Sequence, residues 1–211
     1  MEASARSRRR VRPFGAVVLG ALVMGGLTLA LAALIIATAR ARGGDSLALA
    51  ALLAWAPMTW LGTLSHLVPL RLPHRWHALR SFERDGRCYE RVGIRLVKRL
   101  LRRGPLSWWN PGLRMPAQRT PQSLARLGQR MCRAEASHVL AFALTLVATV
   151  HAAARGWWPA AGTMLLLDLL INGWPIFLQR YNRALLQQRT GEPGDTGDTG
   201  EPREAGGTAT P

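Results

Sequence analysis

The run "FGAVVLGALVMGGLTLALAALIIATA", residues 14–39, decides the fold class, because 26 consecutive residues contain no ionisable side chain. About 20 apolar residues in a helix cross the roughly 30 Å hydrocarbon core of a bilayer. Three further apolar runs follow at residues 47–70, 137–154 and 157–178. The sequence therefore predicts an all-α integral membrane protein with four transmembrane helices in two hairpins.

The first run must be distinguished from a cleaved signal peptide. It follows the basic segment 1–13, and "ATARA" at 37–41 is similar to a small-residue cleavage site. The apolar core of a signal peptide spans about 7–15 residues, which is far shorter than this run. We therefore expect the first helix to be retained.

Charge predicts the orientation in the membrane. The chain has a formal net charge of +16, and segment 71–136 alone carries sixteen Lys/Arg against four Asp/Glu, a formal +12. Basic loops stay on the cytoplasmic side, so both termini and the central segment are expected in the cytoplasm of a multi-pass cell-membrane protein. Anionic membrane lipids are the expected partners of this charge. Nothing resembles a nucleic-acid-binding module, so no nucleic-acid partner is expected.

Two segments outside the spans have distinct compositions. Phe82 to Leu101 reads as one amphipathic helix, either at the membrane surface or packed on its own domain. Residues 184–211, rich in Gly, Pro, Thr and acidic residues, are predicted to be a disordered tail after a membrane domain of residues 14–183. The proline-rich part of segment 71–136 is predicted to be an irregular loop. Cys88 and Cys132 lack metal-site spacing, and no metal site is expected. No bound cofactor is expected either.

Polar side chains within the predicted spans recur at helical spacing, so each set shares one helix face. The sets are Thr59, Thr63 and His66 in the second span, Glu135, His138, Thr145 and Thr149 in the third, and Asp168, Asn172 and Gln179 in the fourth. Ionisable groups in a span usually face the bundle interior. The predicted topology brings these sets together near the cytoplasmic side, although interhelical hydrogen bonds alone would also explain them.

Glu135 and His138 are three residues apart and share a helix face. A carboxylate beside an imidazole sets its tautomer and raises its basicity, as a general base requires. A charge pair at the end of a span is the simpler interpretation. A di-iron site is disfavoured, because the second E-x-x-H copy is missing.

Three blocks resemble a known family in their order and separation. They are "FERDGRCYERVGIRLVKRLLRR" at 82–103, "RAEASH" at 133–138 and "NGWPIFLQRYNR" at 172–183. Over residues 55–183 the chain is similar to the glycosyl-4,4'-diaponeurosporenoate acyltransferases, small membrane proteins of bacterial carotenoid biosynthesis. The resemblance implies transfer of a fatty acyl group to a hydroxyl of a glycosylated carotenoid or similar glycolipid.

Roles for individual residues follow as hypotheses from the resemblance and from position. His138 is expected to be the general base, with Glu135 orienting it. The lipid-like acceptor and the acyl donor are expected to contact a set of polar and basic side chains. These are Asn172, Gln179, Arg180, Asn182, Arg183, His66, Lys98 and Tyr89. The donor could be an acyl thioester acting as co-substrate, and no acyl-enzyme is expected because no nucleophilic Ser or Cys is evident.

Two other functions remain compatible with the sequence alone. A non-catalytic membrane scaffold or accessory protein would use the polar faces only for helix packing. A small proton-coupled transporter would use Asp168 and His66 as proton carriers, but no inverted repeat is visible.

Overall fold

The computed structural model describes residues 14–103 and 120–190, and these residues form helices and turns with no strand among them. The helices are α1 (Phe14–Arg42), α2 (Leu47–Leu67), α3 (His74–His77), α4 (Arg87–Arg91), α5 (Ile94–Arg103), α6 (Pro121–Ala154), α7 (Trp158–Asp168) and α8 (Trp174–Thr190). A 3-10 turn occupies Ser81–Glu83, and a π-helical turn at Leu169–Gly173 joins α7 to α8.

Four helical stretches are long and apolar enough to span a membrane, as in a multi-pass membrane protein. They are Phe14–Arg42, Leu47–Leu67, Pro121–Ala154 and Trp158–Gln188. The predicted all-α class with four spans is confirmed. The last stretch comprises α7, the π turn and most of α8, which follow one another as one continuous helical stretch.

Two of the long helices begin at side-chain caps that the sequence supplies. Ser46 Oγ accepts a hydrogen bond from the Leu49 amide at 3.3 Å at the start of α2. Thr120 Oγ1 accepts one from the Ser123 amide at 3.2 Å at the start of α6. Proline at the first position of α6 costs no hydrogen bond there, since that amide lacks a helical partner anyway. These caps define where α2 and α6 begin.

Helices α2, α6 and α7 pack together through small side chains. Ala50, Ala152, Ala160, Ala161 and Met164 form one buried cluster. Small residues allow helix backbones to approach closely, which favours association of helices in a lipid environment. Helix α1 is peripheral, because only 6% of its most apolar window is buried, against 28–33% for the other three stretches.

Helices α6 and α8 extend beyond the predicted span boundaries. Helix α6 has 34 residues, about 51 Å at 1.5 Å per residue, and so exceeds the roughly 30 Å apolar core of a bilayer. Helix α8 continues to Thr190. The predicted start of the disordered tail, residue 184, is therefore too early in the chain. The physical reason is burial, since Arg183 and Ala184 pack inside the bundle. Residues 1–13, 104–119 and 191–211, which include the proline-rich loop, lie outside the described part of the chain.

The prediction of a single amphipathic helix over residues 82–101 is wrong, because two glycines interrupt the helical backbone in this segment. Gly86 (φ 74°) and Gly93 (φ 80°) adopt left-handed backbone conformations, which other residues rarely adopt. The resulting α4 and α5 bury Tyr89, Ile94 and Val97 against α8. This segment therefore packs on the end of the bundle where α6 begins and α8 ends.

Candidate active site

Arg180 of α8 forms the centre of a buried ionic cluster. Its Nη2 donates to Glu83 Oε2 at 2.7 Å, its Nη1 to Glu135 Oε1 at 2.8 Å, and its Nε to Glu83 Oε1 at 2.9 Å. The backbone carbonyls of Trp76 and Ala78 accept from the same guanidinium. An arginine has five N–H groups, and every one of them here has an acceptor. Arg180 therefore has no donor left for a substrate.

Glu83 reaches this cluster from the 3-10 turn that precedes α4. Burial raises the pKa of Glu83, but hydrogen bonds from Arg180, the Tyr89 hydroxyl and the Arg80 amide outweigh it and lower the pKa to about 2. Burial, followed by the hydrogen bond to the Glu83 carboxylate, raises the pKa of Tyr89. Glu83 is thus a carboxylate, and Tyr89 is a phenol that donates to it.

Glu135 of α6 joins Arg180 to a second arginine and to a histidine. Arg183 Nη2 lies 2.7 Å from Glu135 Oε2 and forms an ion pair with it. The geometry of this contact does not meet the criteria for a hydrogen bond. Arg183 Nη1 donates to the His77 carbonyl, and the His77 ring Nδ1 lies 3.4 Å from Glu135 Oε2. Burying charges is costly unless they are paired. Glu83 and Glu135 balance Arg180 and Arg183, and these residues with Tyr89 and His77 are called the Arg180 cluster below.

A second polar group, the His138 relay, links α6 to the π turn. It consists of His138, Asn172 and Asp168. His138 Nδ1 lies 3.2 Å from Asn172 Oδ1, and Asn172 Nδ2 donates to Asp168 Oδ1 at 2.8 Å. Asn172 and Asp168 are fully buried, both 0% exposed. The relay lies about one turn along α6 from Glu135.

The expected direct pairing of Glu135 with His138 is not what the structure shows. The Glu135 carboxylate contacts Arg180, Arg183 and His77, and the His138 imidazole contacts Asn172. A carboxylate interacts more strongly with two guanidinium groups than with a neutral ring, so Glu135 turns towards α8. The amide of Asn172 orients His138 instead. The substrate contact expected for Arg180 stays a prediction, and in this structure its donors all have protein acceptors.

The other predicted site residues lie around these two groups. Gln179 is buried in α8, and its Oε1 has no hydrogen-bond partner among the described residues. Lys98 of α5 donates to Asn182 Oδ1 at 2.9 Å and lies 5.0 Å from the centroid of the Tyr181 ring. His66 is exposed in the last turn of α2. The structure thus joins Lys98 to Asn182.

Sequence reasoning missed Glu83 and His77 as members of the Arg180 cluster. They lie on a 3-10 turn and a four-residue helix, where hydrophobic periodicity gives no signal. Asp168 was recognised as part of a polar face and as a proton carrier of the alternative transporter function, but not as a residue linked to His138 through Asn172. Within the described residues, no group of three or more His, Cys, Asp or Glu side chains is arranged to hold a metal ion.

The comparison with protein families gives one match. The model of the glycosyl-4,4'-diaponeurosporenoate acyltransferase family matches residues 73–190. That range contains every member of the Arg180 cluster and of the His138 relay. No curated protein and no solved structure matches the chain. The family model covers more than half of the 211 residues, and the chain belongs to the glycosyl-4,4'-diaponeurosporenoate acyltransferase family, which makes it an acyltransferase.

Proposed function

We propose that this protein transfers a fatty acyl group from an acyl thioester to a hydroxyl of a glycosylated carotenoid or a similar glycolipid. The supporting observation is His138, near the middle of α6, whose ring is held through Nδ1 by Asn172. An imidazole held in this way presents Nε2 as a proton acceptor. Family membership supplies the reaction class, and this imidazole supplies the base that the reaction needs.

The reaction would proceed by direct transfer. His138 Nε2 takes the proton of the acceptor hydroxyl as its oxygen attacks the thioester carbonyl carbon. A carbon–oxygen bond forms, the carbon–sulfur bond breaks, and the proton passes from His138 to the departing thiolate. Cys88 and Cys132 are not required in this scheme. Burial raises the pKa of the Cys88 thiol, which disfavours its use as a nucleophile.

Arg183 is a better candidate than Arg180 for stabilising the negative charge that develops on the carbonyl oxygen during the reaction. Its Nε and Nη2 have no hydrogen-bond partner within the described residues, although the side chain is buried. Donors aimed at a developing oxyanion contribute strongly in a site that excludes water. Arg180, in contrast, positions α8 against the Glu83 turn. We assign it a structural role that supports the site.

The location we propose is the cytoplasmic face of the cell membrane, with both termini in the cytoplasm. The exposed side chains of Arg84, Arg87, Arg91 and Arg95 lie on α4, α5 and the turn before them. Guanidinium groups bind phosphates well, so they suit lipid headgroups or the phosphates of a cytosolic acyl donor. The donor's acyl chain and the acceptor would approach from the bilayer.

The test is acyl transfer from a radiolabelled acyl thioester to glycosylated carotenoid in membranes that contain the protein. H138A is expected to lower the rate by about 10²-fold or more, the usual contribution of a general base. The matched control is H151A, which changes an exposed histidine on the same helix and should retain full activity. H138A at parental activity, with normal membrane insertion, would refute the base assignment.

A second imidazole makes a further control necessary. His77 Nδ1 lies 3.4 Å from Glu135 Oε2, so this ring also has a carboxylate partner. Because that carboxylate is engaged by two arginines, we expect H77Q to keep at least about a third of the parental rate, less than 1 kcal/mol in barrier height. An H77Q variant as inactive as H138A would move the base to His77.

A further inference from the structure

Asp168 is a fully buried carboxylate without an arginine or lysine partner among the described residues. It is 0% exposed, it accepts from Asn172 Nδ2 through Oδ1, and its Oδ2 has no hydrogen-bond partner in the described part of the chain. Burial of an incompletely satisfied carboxylate costs stability. We propose that Asp168 and Asn172 are positioning residues that hold His138 in the tautomer with a proton on Nδ1 and a free Nε2. This inference rests on the proposed function.

The direction of the relay follows from the chemistry of its atoms. A carboxylate oxygen only accepts hydrogen bonds, so Asp168 binds the NH₂ end of the Asn172 amide, at 2.8 Å. The amide oxygen must then face His138, at 3.2 Å from Nδ1. That oxygen also only accepts, so Nδ1 carries the proton. Asp168 thereby sets the ring tautomer without touching the ring.

The backbone conformation at Asp168 and Asn172 also favours a functional role for these residues. Asp168 is the last residue of α7, and Asn172 lies within the π-helical turn that follows. Single π turns inside helices occur frequently at functional sites. The alternative is that the relay only holds helices together by interhelical hydrogen bonds. A reciprocal exchange of the two side chains distinguishes the two roles.

The experiment compares N172D, D168N and the double variant D168N/N172D with the parent. N172D places two carboxylates side by side, which disrupts the order of donors and acceptors. In the double variant, residue 172 accepts from His138 Nδ1–H and residue 168 donates to it, so the relay is restored in reversed order. We expect N172D to lower kcat by at least about tenfold with little change in KM, and the double variant to return kcat to within about threefold of the parent. A double variant no faster than N172D overturns the proposal.

A second measurement does not depend on acyl transfer. Nitrogen NMR of ¹⁵N-histidine-labelled protein in detergent micelles reports the tautomer of each ring, and H138Q identifies the His138 signals. The parent and the double variant should show a protonated Nδ1 and an unprotonated Nε2, whereas D168A should show a mixture of tautomers. A D168A spectrum like that of the parent would refute the relay.

The two measurements separate this inference from the proposed function. An inactive parent with the expected tautomer pattern would count against acyl transfer to the chosen acceptor while supporting the relay. An active parent whose His138 tautomer is unaffected by D168A would support acyl transfer and count against the relay. Thermal unfolding of every variant, with H151Q as an unrelated histidine control, excludes loss of folding as the cause.

Discussion

Replacing Arg180 by methionine tests whether the Arg180 cluster holds the α3–α5 segment on the bundle. The substitution keeps most of the side-chain volume but leaves Glu83 and Glu135 without this cation. Their side chains are 9% and 2% exposed, against 15% for Arg180. Glu135 retains Arg183, whereas the partners that Glu83 retains among the described residues are the Tyr89 hydroxyl and the Arg80 amide.

The expected loss follows from the cost of an unpaired buried charge. Breaking a buried ion pair by removing one partner costs about 3–5 kcal/mol. For a protein of about 200 residues, 1 kcal/mol corresponds to about 2–4 °C in Tm. R180M should therefore lower Tm by about 6–20 °C. R180K should also be destabilised, because an ammonium has three donors and cannot match the bidentate contact with Glu83.

The assay is thermal unfolding of the detergent-solubilised protein, followed by circular dichroism. R95Q is the matched control, since Arg95 forms an ion pair with Glu90 but is 70% exposed, and exposed pairs contribute little. The double variant R180M/E83Q should recover part of the loss, because it removes the charge that R180M leaves unpaired. The reasoning fails if R180M unfolds at the same temperature as R95Q, or if E83Q brings no recovery.

Two further predictions concern the turn and the glycine that precede α4. The pKa of Glu83 is about 2, below its ordinary 4.5, so its ionised form stabilises the fold above pH 4.5 and this contribution is lost as pH falls towards 2. Tm should therefore decline below about pH 4.5, and E83Q should show a smaller decline. A parallel decline in parent and E83Q would contradict this assignment. G86A should destabilise more than G93A, although both glycines have positive φ, which alone costs about 1–2 kcal/mol. A Cβ at Gly86 would lie 3.0 Å from an aromatic ring of α8, whereas one at Gly93 meets nothing within 4 Å. Thermal unfolding measures the difference, and equal shifts would exclude a close approach at Gly86.

The four apolar stretches were predictable because membrane-spanning length is a local property of sequence. Residues 14–39 contain no ionisable group, and no distant contact is needed to read them as a helix. The ends of α6 and α8 were harder to predict from the sequence. Their outer turns contain charged residues that composition assigns to a loop or tail, and only burial of Arg183 and Ala184 against the rest of the chain keeps α8 helical there.

Sequence alone determined the helical class, the polar faces and the family resemblance carried by Glu135, His138 and the "QRYNR" ending. It did not determine which polar groups pair. Spacing placed Glu135 beside His138, but the tertiary structure pairs Glu135 with Arg180, 45 positions away, and Arg180 with Glu83, 97 positions away. Partners so far apart meet only after the helices pack, and two guanidinium groups then compete successfully for a carboxylate that local spacing assigns to an imidazole.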